Sequence, residues 1–372
     1  MTIPKLVLSS PADILAAVPY LVGFHPADSL VVTGFADREV RLTTRWDLPV
    51  ASGDLDRLVP LLRREAVTAA FVVGYGPGAT VTPAVDTVTR LLRAGGIRVT
   101  ESLRAEGGRY WSYSCGSATC CPAEGTPYDT GRSRVTAEAV MHGLVALPDR
   151  GSLRRSVQWR GGAAMRRATL RVMTDLRALP EPGGPAADER AARFVAEGLA
   201  RVRRALGLYD SGGRLDDDGA ARLGLDLAVV RVRDEAWALV DDRDAHIALW
   251  RDLTRRLEPG HVAPAASLLA AAAWHRGECA LMGMALERAL AADPGYSMAL
   301  LLRQALTHMM SPAMLRDRMP TPEELDDEMG SPRAVWLAPL RAVLAQDMPE
   351  PEPDHAHEPE PVPGGRQTGS PS

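Results

Sequence analysis

Residues 8–35 read LSSPADILAAVPYLVGFHPADSLVVTGF, and they combine a helix start, a helix, a breaker and a strand in one short unit. Ser10 before Pro11 is typical of a helix N-terminus, because the hydroxyl accepts from free backbone amides and proline needs no partner there. We predict that this helix ends near Leu21. Residues 29–35 then form an apolar run that predicts a buried strand.

The following segments predict the rest of a mixed α/β region. Apolar and polar residues alternate over 40–47, which predicts a half-exposed strand joined to the first by a hairpin. Residues 69–75 are a second apolar run that ends at the breaker Gly76-Pro77-Gly78. Further helices are predicted over 55–62 and from Thr82-Pro83 to Gly95-Gly96, and further strands over 97–103 and 109–114. The predicted fold is an α/β domain over residues 1–150, a mixed sheet with flanking helices.

From about residue 160 onward the strand pattern disappears, and alanine, leucine and arginine recur at helical spacing, so an all-α domain is predicted over 160–345. Within it, residues 263–295 resemble a tetratricopeptide repeat. The residues that match its order and spacing are Ala270, Ala273, Gly277, Met282, Leu286, Ala289 and Pro294. The repeat implies either a groove for a partner peptide or a helical cap packed on the α/β domain.

Two polar segments interrupt or follow the helices. Aspartates over 211–218 are interpreted as a turn and helix cap, because they lack the ligand spacing of a calcium-binding loop. Residues 347–372 are rich in proline and acidic residues, so we predict a disordered tail.

Composition restricts the classes of partner. The chain has 372 residues with 43 basic and 47 acidic side chains, which predicts about two domains and no large basic field for nucleic acid. Residues 14–24 are apolar but shorter than the roughly 20 residues that span a membrane. Four cysteines without a secretory leader favour a reduced cytoplasmic setting. The sequence leaves the oligomeric state open.

A second informative stretch, residues 111–127, reads WSYSCGSATCCPAEGTP. Cys115, Cys120 and Cys121 form a C-x4-C-C cluster in a loop with small residues. Three thiolates suit zinc, although the spacing departs from the familiar paired C-x2-C pattern. Thiol redox chemistry and ordinary packing are the alternatives.

Three polar residues between the first helix and strand form another candidate site. His25, Asp28 and Ser29 offer an imidazole, a carboxylate and a hydroxyl that could hold a polar ligand. Turn formation and a structural histidine are the alternatives. His25 or His142 would complete a tetrahedral zinc site if the fold brings either one to the cysteines.

Trp111 and Tyr113 alternate along one predicted strand, so both side chains lie on the same face. They are candidates for stacking on a ligand, with cross-strand aromatic packing as the alternative. The breaker at Gly76 lacks the lysine and hydroxyl residue of a phosphate-binding P-loop, so a simple turn is the interpretation there.

The opening stretch and the cysteine loop together resemble the bacterial domain of unknown function 4192 family. Members of that family lack an assigned activity, so the resemblance implies an architecture and transfers no functional residue. We therefore expect a non-catalytic cytoplasmic module that binds a protein partner through its helical domain or regulates one. The alternative is a small-molecule enzyme, or a thiol or zinc sensor, that uses the His25 and cysteine loops. No cofactor is predicted, and zinc remains the alternative.

Overall fold

A computed structural model describes residues 7–51, 53–117, 119–178, 185–308, 310–312, 314 and 320–345. The tail predicted to be disordered at 347–372 lies outside the described residues. The predicted fold class is confirmed, since a six-stranded mixed sheet with helices is followed by a helical region.

The opening stretch folds as a capped helix followed by a hairpin. Helix α1 (Pro11–Val22) begins with a capping box, in which the Ser10 hydroxyl accepts from the Asp13 amide and the Asp13 carboxylate accepts from the Ser10 amide. Strands β1 (Ser29–Ala36) and β2 (Glu39–Asp47) follow. Asp37 and Arg38 form the tight turn between them with φ of 51° and 68°, which matches the right-handed twist of a hairpin.

The sheet is ordered β2-β1-β3-β4-β5-β6, and its central pair, β3 and β4, is parallel. Every other neighbouring pair is antiparallel. Helix α3 crosses over between β3 and β4. The remaining bounds are α2 (Leu58–Arg64), β3 (Ala69–Tyr75), α3 (Gly78–Ala94), β4 (Arg98–Glu106), β5 (Arg109–Ser112) and β6 (Thr126–Pro127).

The two faces of the sheet are covered by different helices. Leu15 and Val18 of α1 pack on Val31 and Val73 at one face. At the other face α2 and α3 pack on Leu30, Val32 and Val72. Gly74 allows the close approach of α3, because a Cβ there would lie 2.2 Å from Cγ1 of Val81.

Several predicted bounds were wrong in ways that have local causes. Helix α3 begins at Gly78, about one turn before Pro83, and its first turn has no side-chain cap to mark it in the sequence. Strand β5 ends at Ser112, and the Ser112 hydroxyl accepts from the Ser114 amide in a local turn that competes with strand pairing. The two-residue strand β6 was not predicted, since a strand that short has no periodicity.

The helical region begins after two short helices, α4 (Arg134–Met141) and α5 (Arg150–Arg155), that the sequence analysis did not predict. Asp216 caps α8 by accepting from the Gly219 amide, so the interpretation of residues 211–218 as a turn and cap is confirmed. The later helices are α6 (Ala163–Ala178), α7 (Pro185–Asp210), α8 (Asp217–Asp226), α9 (Val230–Ala238), α10 (Asp244–Arg256), α11 (Ala263–His275), α12 (Cys279–Ala292), α13 (Ser297–Thr307), α14 (Pro322–Met329) and α15 (Ala338–Leu344).

Helices α11 and α12 form the hairpin predicted at 263–295, with Gly277 at a φ of 77° between them. Helix α11 is apolar around its whole circumference and is buried from Ala265 to Trp274. Helices α9, α10, α12 and α13 surround it. Met282, Met284 and Met298 are buried in the same core, so they fill the interior and do not line an open groove.

The sheet and helical regions meet through the loop after α1. Phe24 is 1% exposed and belongs to the same apolar cluster as Leu153 and Val157. Its neighbour His25 donates its backbone amide to the Leu147 carbonyl at 2.9 Å. The boundaries proposed for the two domains, 1–150 and 160–345, stay a prediction. Among the described residues, no helix has the length and apolar character needed to cross a membrane.

Candidate functional site

The cysteine loop leaves the sheet at the end of β5, and its first residues are held on β4. The Tyr113 amide donates to the Ser102 carbonyl at 2.8 Å. The Ser102 amide in turn donates to the Ser114 hydroxyl at 3.2 Å. Cys115 follows directly, so its backbone starts from a fixed position at the edge of the strand.

The far side of the loop is held by β5 and by its own turn. The Cys121 amide donates to the Ser117 carbonyl at 2.9 Å, which closes the turn that contains the cysteines. Trp111 donates its indole N–H to the Ala123 carbonyl at 2.9 Å, and Arg109 donates to the Gly125 carbonyl at 2.7 Å. The first end of the loop is therefore anchored to β4 and the far end to β5.

This anchoring brings the three sulfurs together. The Sγ atoms of Cys115 and Cys120 lie 2.8 Å apart, and those of Cys120 and Cys121 lie 3.8 Å apart. All three Sγ atoms lie within 4.8 Å of one another. Cys120 is exposed and the other two are half-buried, so solvent reaches the cluster. We call Cys115, Cys120 and Cys121 the thiol cluster.

Hydrogen bonds within the thiol cluster shift two pKa values in opposite directions. The pKa of Cys115 is lowered, chiefly because the Cys120 thiol donates to it and also because the Ser117 amide does. The pKa of Cys121 is raised to about 12, mainly because its thiol donates to Cys115 and loses that bond on deprotonation. Cys115 is therefore the sulfur best suited to carry the negative charge.

The cluster has the composition of a zinc site with three protein ligands. Sulfurs that share a tetrahedral zinc at a Zn–S distance of about 2.3 Å lie about 3.8 Å apart. The separation of Cys120 and Cys121 is 3.8 Å, so adjacent cysteines reach one site here. Cys115 and Cys120 would have to separate by about 1 Å to meet the same geometry.

Neither predicted histidine joins this cluster. Within the described ranges, the group of potential metal ligands consists of the three cysteines alone, so His25 and His142 lie outside it. His142 is at the C-terminal end of α4 and is exposed. A zinc ion at the thiol cluster would take its fourth ligand from solvent or from a bound molecule.

Glu101 on β4 is a neighbour that the sequence analysis missed. Its carboxylate accepts from the Ser112 hydroxyl at 2.8 Å and from the Ser102 amide at 3.0 Å. Its charge acts against deprotonation of Cys115. The only sequence signal for this contact was a carboxylate on β4 flanked by hydroxyl residues, together with a serine on β5.

Trp111 and Tyr113 are both engaged within the chain. The Arg104 guanidinium lies 3.6 Å from the centre of the Trp111 ring, and Gly125 packs against the same ring. The Tyr113 hydroxyl lies 2.6 Å from that of Thr82. These contacts favour the packing interpretation over ligand stacking, and the ligand-binding role stays a prediction.

Among the residues with described positions, His25 and Asp28 do not join the thiol cluster in one group of potential metal ligands. The Asp28 carbonyl accepts from the Leu48 amide at 2.9 Å, and the Asp28 backbone has a φ of 41°. Ser29 is fully buried, and its hydroxyl has no hydrogen-bond partner within the part of the chain that the structure describes, whereas His25 is exposed. The loop forms a turn that ties β1 to neighbouring segments, and its proposed ligand stays a prediction.

Comparison with protein families matches residues 11–313 to the family described as Domain of unknown function (DUF4192). The chain belongs to this family. The matched range contains the opening stretch, the thiol cluster and most of the helical region, as the resemblance implied. No curated protein matches the chain, and no solved structure matches it either. The DUF4192 assignment places the chain in a family and assigns no chemical role to any of its residues.

Proposed function

We propose that this DUF4192 protein is a non-catalytic cytoplasmic regulatory module whose sensing element is the thiol cluster, and that the cluster binds zinc. The observation that carries the proposal is the convergence of three sulfurs within 4.8 Å. Thiolate ligands select soft and borderline cations such as zinc. A reducing compartment would keep these sulfurs available as ligands.

A regulatory role is favoured over a structural one because the apolar clusters of the sheet are built without residues of the loop. The two apolar clusters of the sheet contain no cysteine and are built from α1, α2, α3 and the strands. Small domains that need structural zinc lack such a core. Zinc binding here would reorder an exposed loop at the sheet edge and leave the core intact.

A catalytic role has less support than sensing. His25 and Asp28, which the enzyme alternative would use together with the cysteines, do not enter the group of potential ligands formed by the described residues. Three thiolates around one zinc carry a net charge of −1, which weakens the ion as a Lewis acid compared with a site of neutral ligands. Binding and release of the ion is the simpler use of the cluster.

A groove for a partner at residues 263–295 has less support than the thiol cluster, because helix α11 is buried among α9, α10, α12 and α13. A partner on the outer surface of the helical region stays a prediction. The change in loop conformation at the thiol cluster is a more specific basis for regulation.

Zinc titration of the full reduced chain tests the proposal. We expect one zinc ion per chain, and we expect Cys120→Ser to weaken the affinity by at least about 100-fold, because it removes a direct ligand. Cys279→Ser is the matched control, since Cys279 lies at the start of α12 outside the cluster. An unchanged affinity in Cys120→Ser, or no binding by the wild type, would contradict the proposal.

A further inference from the structure

We infer that the thiol cluster is also a redox switch, in which oxidation of Cys115 and Cys120 to a disulfide expels the zinc ion. The inference rests on the proposed zinc site, since it describes how that site is regulated. It starts from the 2.8 Å between the two Sγ atoms, which is shorter than the 3.8 Å between those of Cys120 and Cys121. The oxidant that the chemistry requires is a hydroperoxide, with hydrogen peroxide as the simplest member.

The geometry favours this pair over the adjacent one. A disulfide has an S–S bond of about 2.05 Å, so Cys115 and Cys120 need to approach by about 0.8 Å. Cys120 and Cys121 start 3.8 Å apart, and a bond between neighbouring residues must close a strained eight-membered ring. The turn closed by the Cys121 amide and the Ser117 carbonyl holds Cys120 near Cys115 without requiring motion in the sheet.

The chemistry balances with one molecule of hydrogen peroxide. The sulfur of Cys115 attacks one peroxide oxygen, an S–O bond forms, the O–O bond breaks, and the departing hydroxide takes a proton to become water. The Cys120 sulfur then attacks the sulfenic sulfur of Cys115. The S–S bond forms as the S–O bond breaks, and the second hydroxide leaves and takes a proton from solvent to become water. In the zinc-loaded chain the two thiolates lose two electrons in total, and the peroxide with two solvent protons is reduced to two waters.

The disulfide and the zinc ion are mutually exclusive. Zinc is bound by thiolates, and each sulfur of a disulfide has lost the charge that makes it a strong ligand. Oxidation leaves Cys121 as the single thiol of the cluster, and one thiolate does not hold the ion. Because Cys120 is exposed, peroxide reaches the pair from solvent without local unfolding.

The experiment uses the full-length Cys279→Ser chain, reduced and loaded with one equivalent of zinc. Hydrogen peroxide is added, free zinc is followed with a chromogenic chelator, and disulfides are mapped by mass spectrometry of peptides. We expect about one zinc released per chain together with a Cys115–Cys120 disulfide, and we expect dithiothreitol to restore zinc binding.

Two variants and the order of the measurements separate the possible failures. Cys121→Ser retains the proposed pair and should form the same disulfide in the absence of zinc, whereas Cys115→Ser should form no disulfide within the chain. Zinc that binds but stays bound during oxidation, or a disulfide between Cys120 and Cys121, would overturn the switch and leave the zinc site standing. Failure to load zinc before peroxide is added would overturn the proposed function itself, and the expulsion step with it.

Discussion

Cys115 and Cys121 lie in one cluster, yet their thiols have pKa values shifted in opposite directions. The difference follows from which sulfur accepts hydrogen bonds and which donates. At pH 7.5 we expect Cys115 to react with iodoacetamide at least about ten times faster than Cys121 in the metal-free chain, because the thiolate is the nucleophile. Peptide mass spectrometry after timed quenching measures both rates.

The sign of the pH dependence is a separate check. The lowered pKa of Cys115 means that this thiol loses its proton at a lower pH than Cys121 does. Raising the pH above 7.5 should therefore increase the alkylation rate of Cys121 by a larger factor than that of Cys115. The difference between the two alkylation rates should therefore narrow as the pH approaches about 12, the pKa of Cys121. Cys120→Ala should slow Cys115, since it removes the main hydrogen bond to that sulfur. Equal rates at pH 7.5 would show that the hydrogen-bond pattern is not the one described.

At the scale of elements, the packing of α3 on the sheet depends on Gly74. A methyl group at that position would lie 2.2 Å from Cγ1 of Val81, a buried residue in the first turns of the helix. We expect Gly74→Ala to lower the free energy of unfolding by about 1–3 kcal/mol, because α3 must shift away from β3. Urea denaturation followed by circular dichroism measures the change.

Gly283 provides the matched control for this substitution. It lies within α12, and a methyl group there would meet no heavy atom of the described residues within 4 Å, apart from those of its chain neighbours and of the helix's own backbone. Gly283→Ala should raise the free energy of unfolding by up to about 1 kcal/mol, because alanine is the better helix former. If both variants changed stability in the same direction and by the same amount, steric contact with Val81 would not be the cause.

The sequence predicted those elements whose signals are local. Strand β3 was predicted with its observed bounds, Ala69–Tyr75, because an apolar run between breakers has one simple interpretation. The start of α1 was marked by the capping chemistry of Ser10. The start of α3 at Gly78 and the strand β6 were missed, since neither carries a cap or a periodic pattern.

The candidate site was predictable in composition but not in geometry. The C-x4-C-C spacing named the three cysteines, whereas their convergence depends on loop contacts to Ser102, Trp111 and Arg109 that no local pattern shows. Whether His25 lies near the cysteines depends on where β1 lies in the sheet, which the sequence does not show. β1 and β5 are separated by β3 and β4, so the two loops start from different positions along the sheet.

At the scale of the whole molecule, Phe24 links the two regions. It lies in the loop between α1 and β1, yet its ring belongs to the apolar cluster of the helices. We expect Phe24→Ala to lower the free energy of unfolding by about 3–5 kcal/mol. We also expect it to separate the unfolding of the sheet from that of the helices. Differential scanning calorimetry should show a single main transition in the wild type and two resolved transitions in the variant.

Phe194→Ala is the comparison for Phe24→Ala, because Phe194 is buried in the same cluster but lies on α7. It should lower the stability of the helices without separating the two transitions. A Phe24→Ala chain that melts in one step within about 1 °C of the wild type would show that the regions are joined mainly by other contacts. Those contacts include the hydrogen bonds that Arg57 and Arg64 donate to the Thr307 and His308 carbonyls, each at 3.2 Å.

The apolar circumference of α11 also bears on synthesis of the chain. Residues 263–275 emerge from the ribosome before α12 and α13, two of the helices that surround them. Until those helices follow, the nascent polypeptide exposes an apolar segment that has no hydrophilic face. Premature termination in this interval would therefore yield a product prone to aggregation and to capture by chaperones, whatever the state of the finished sheet.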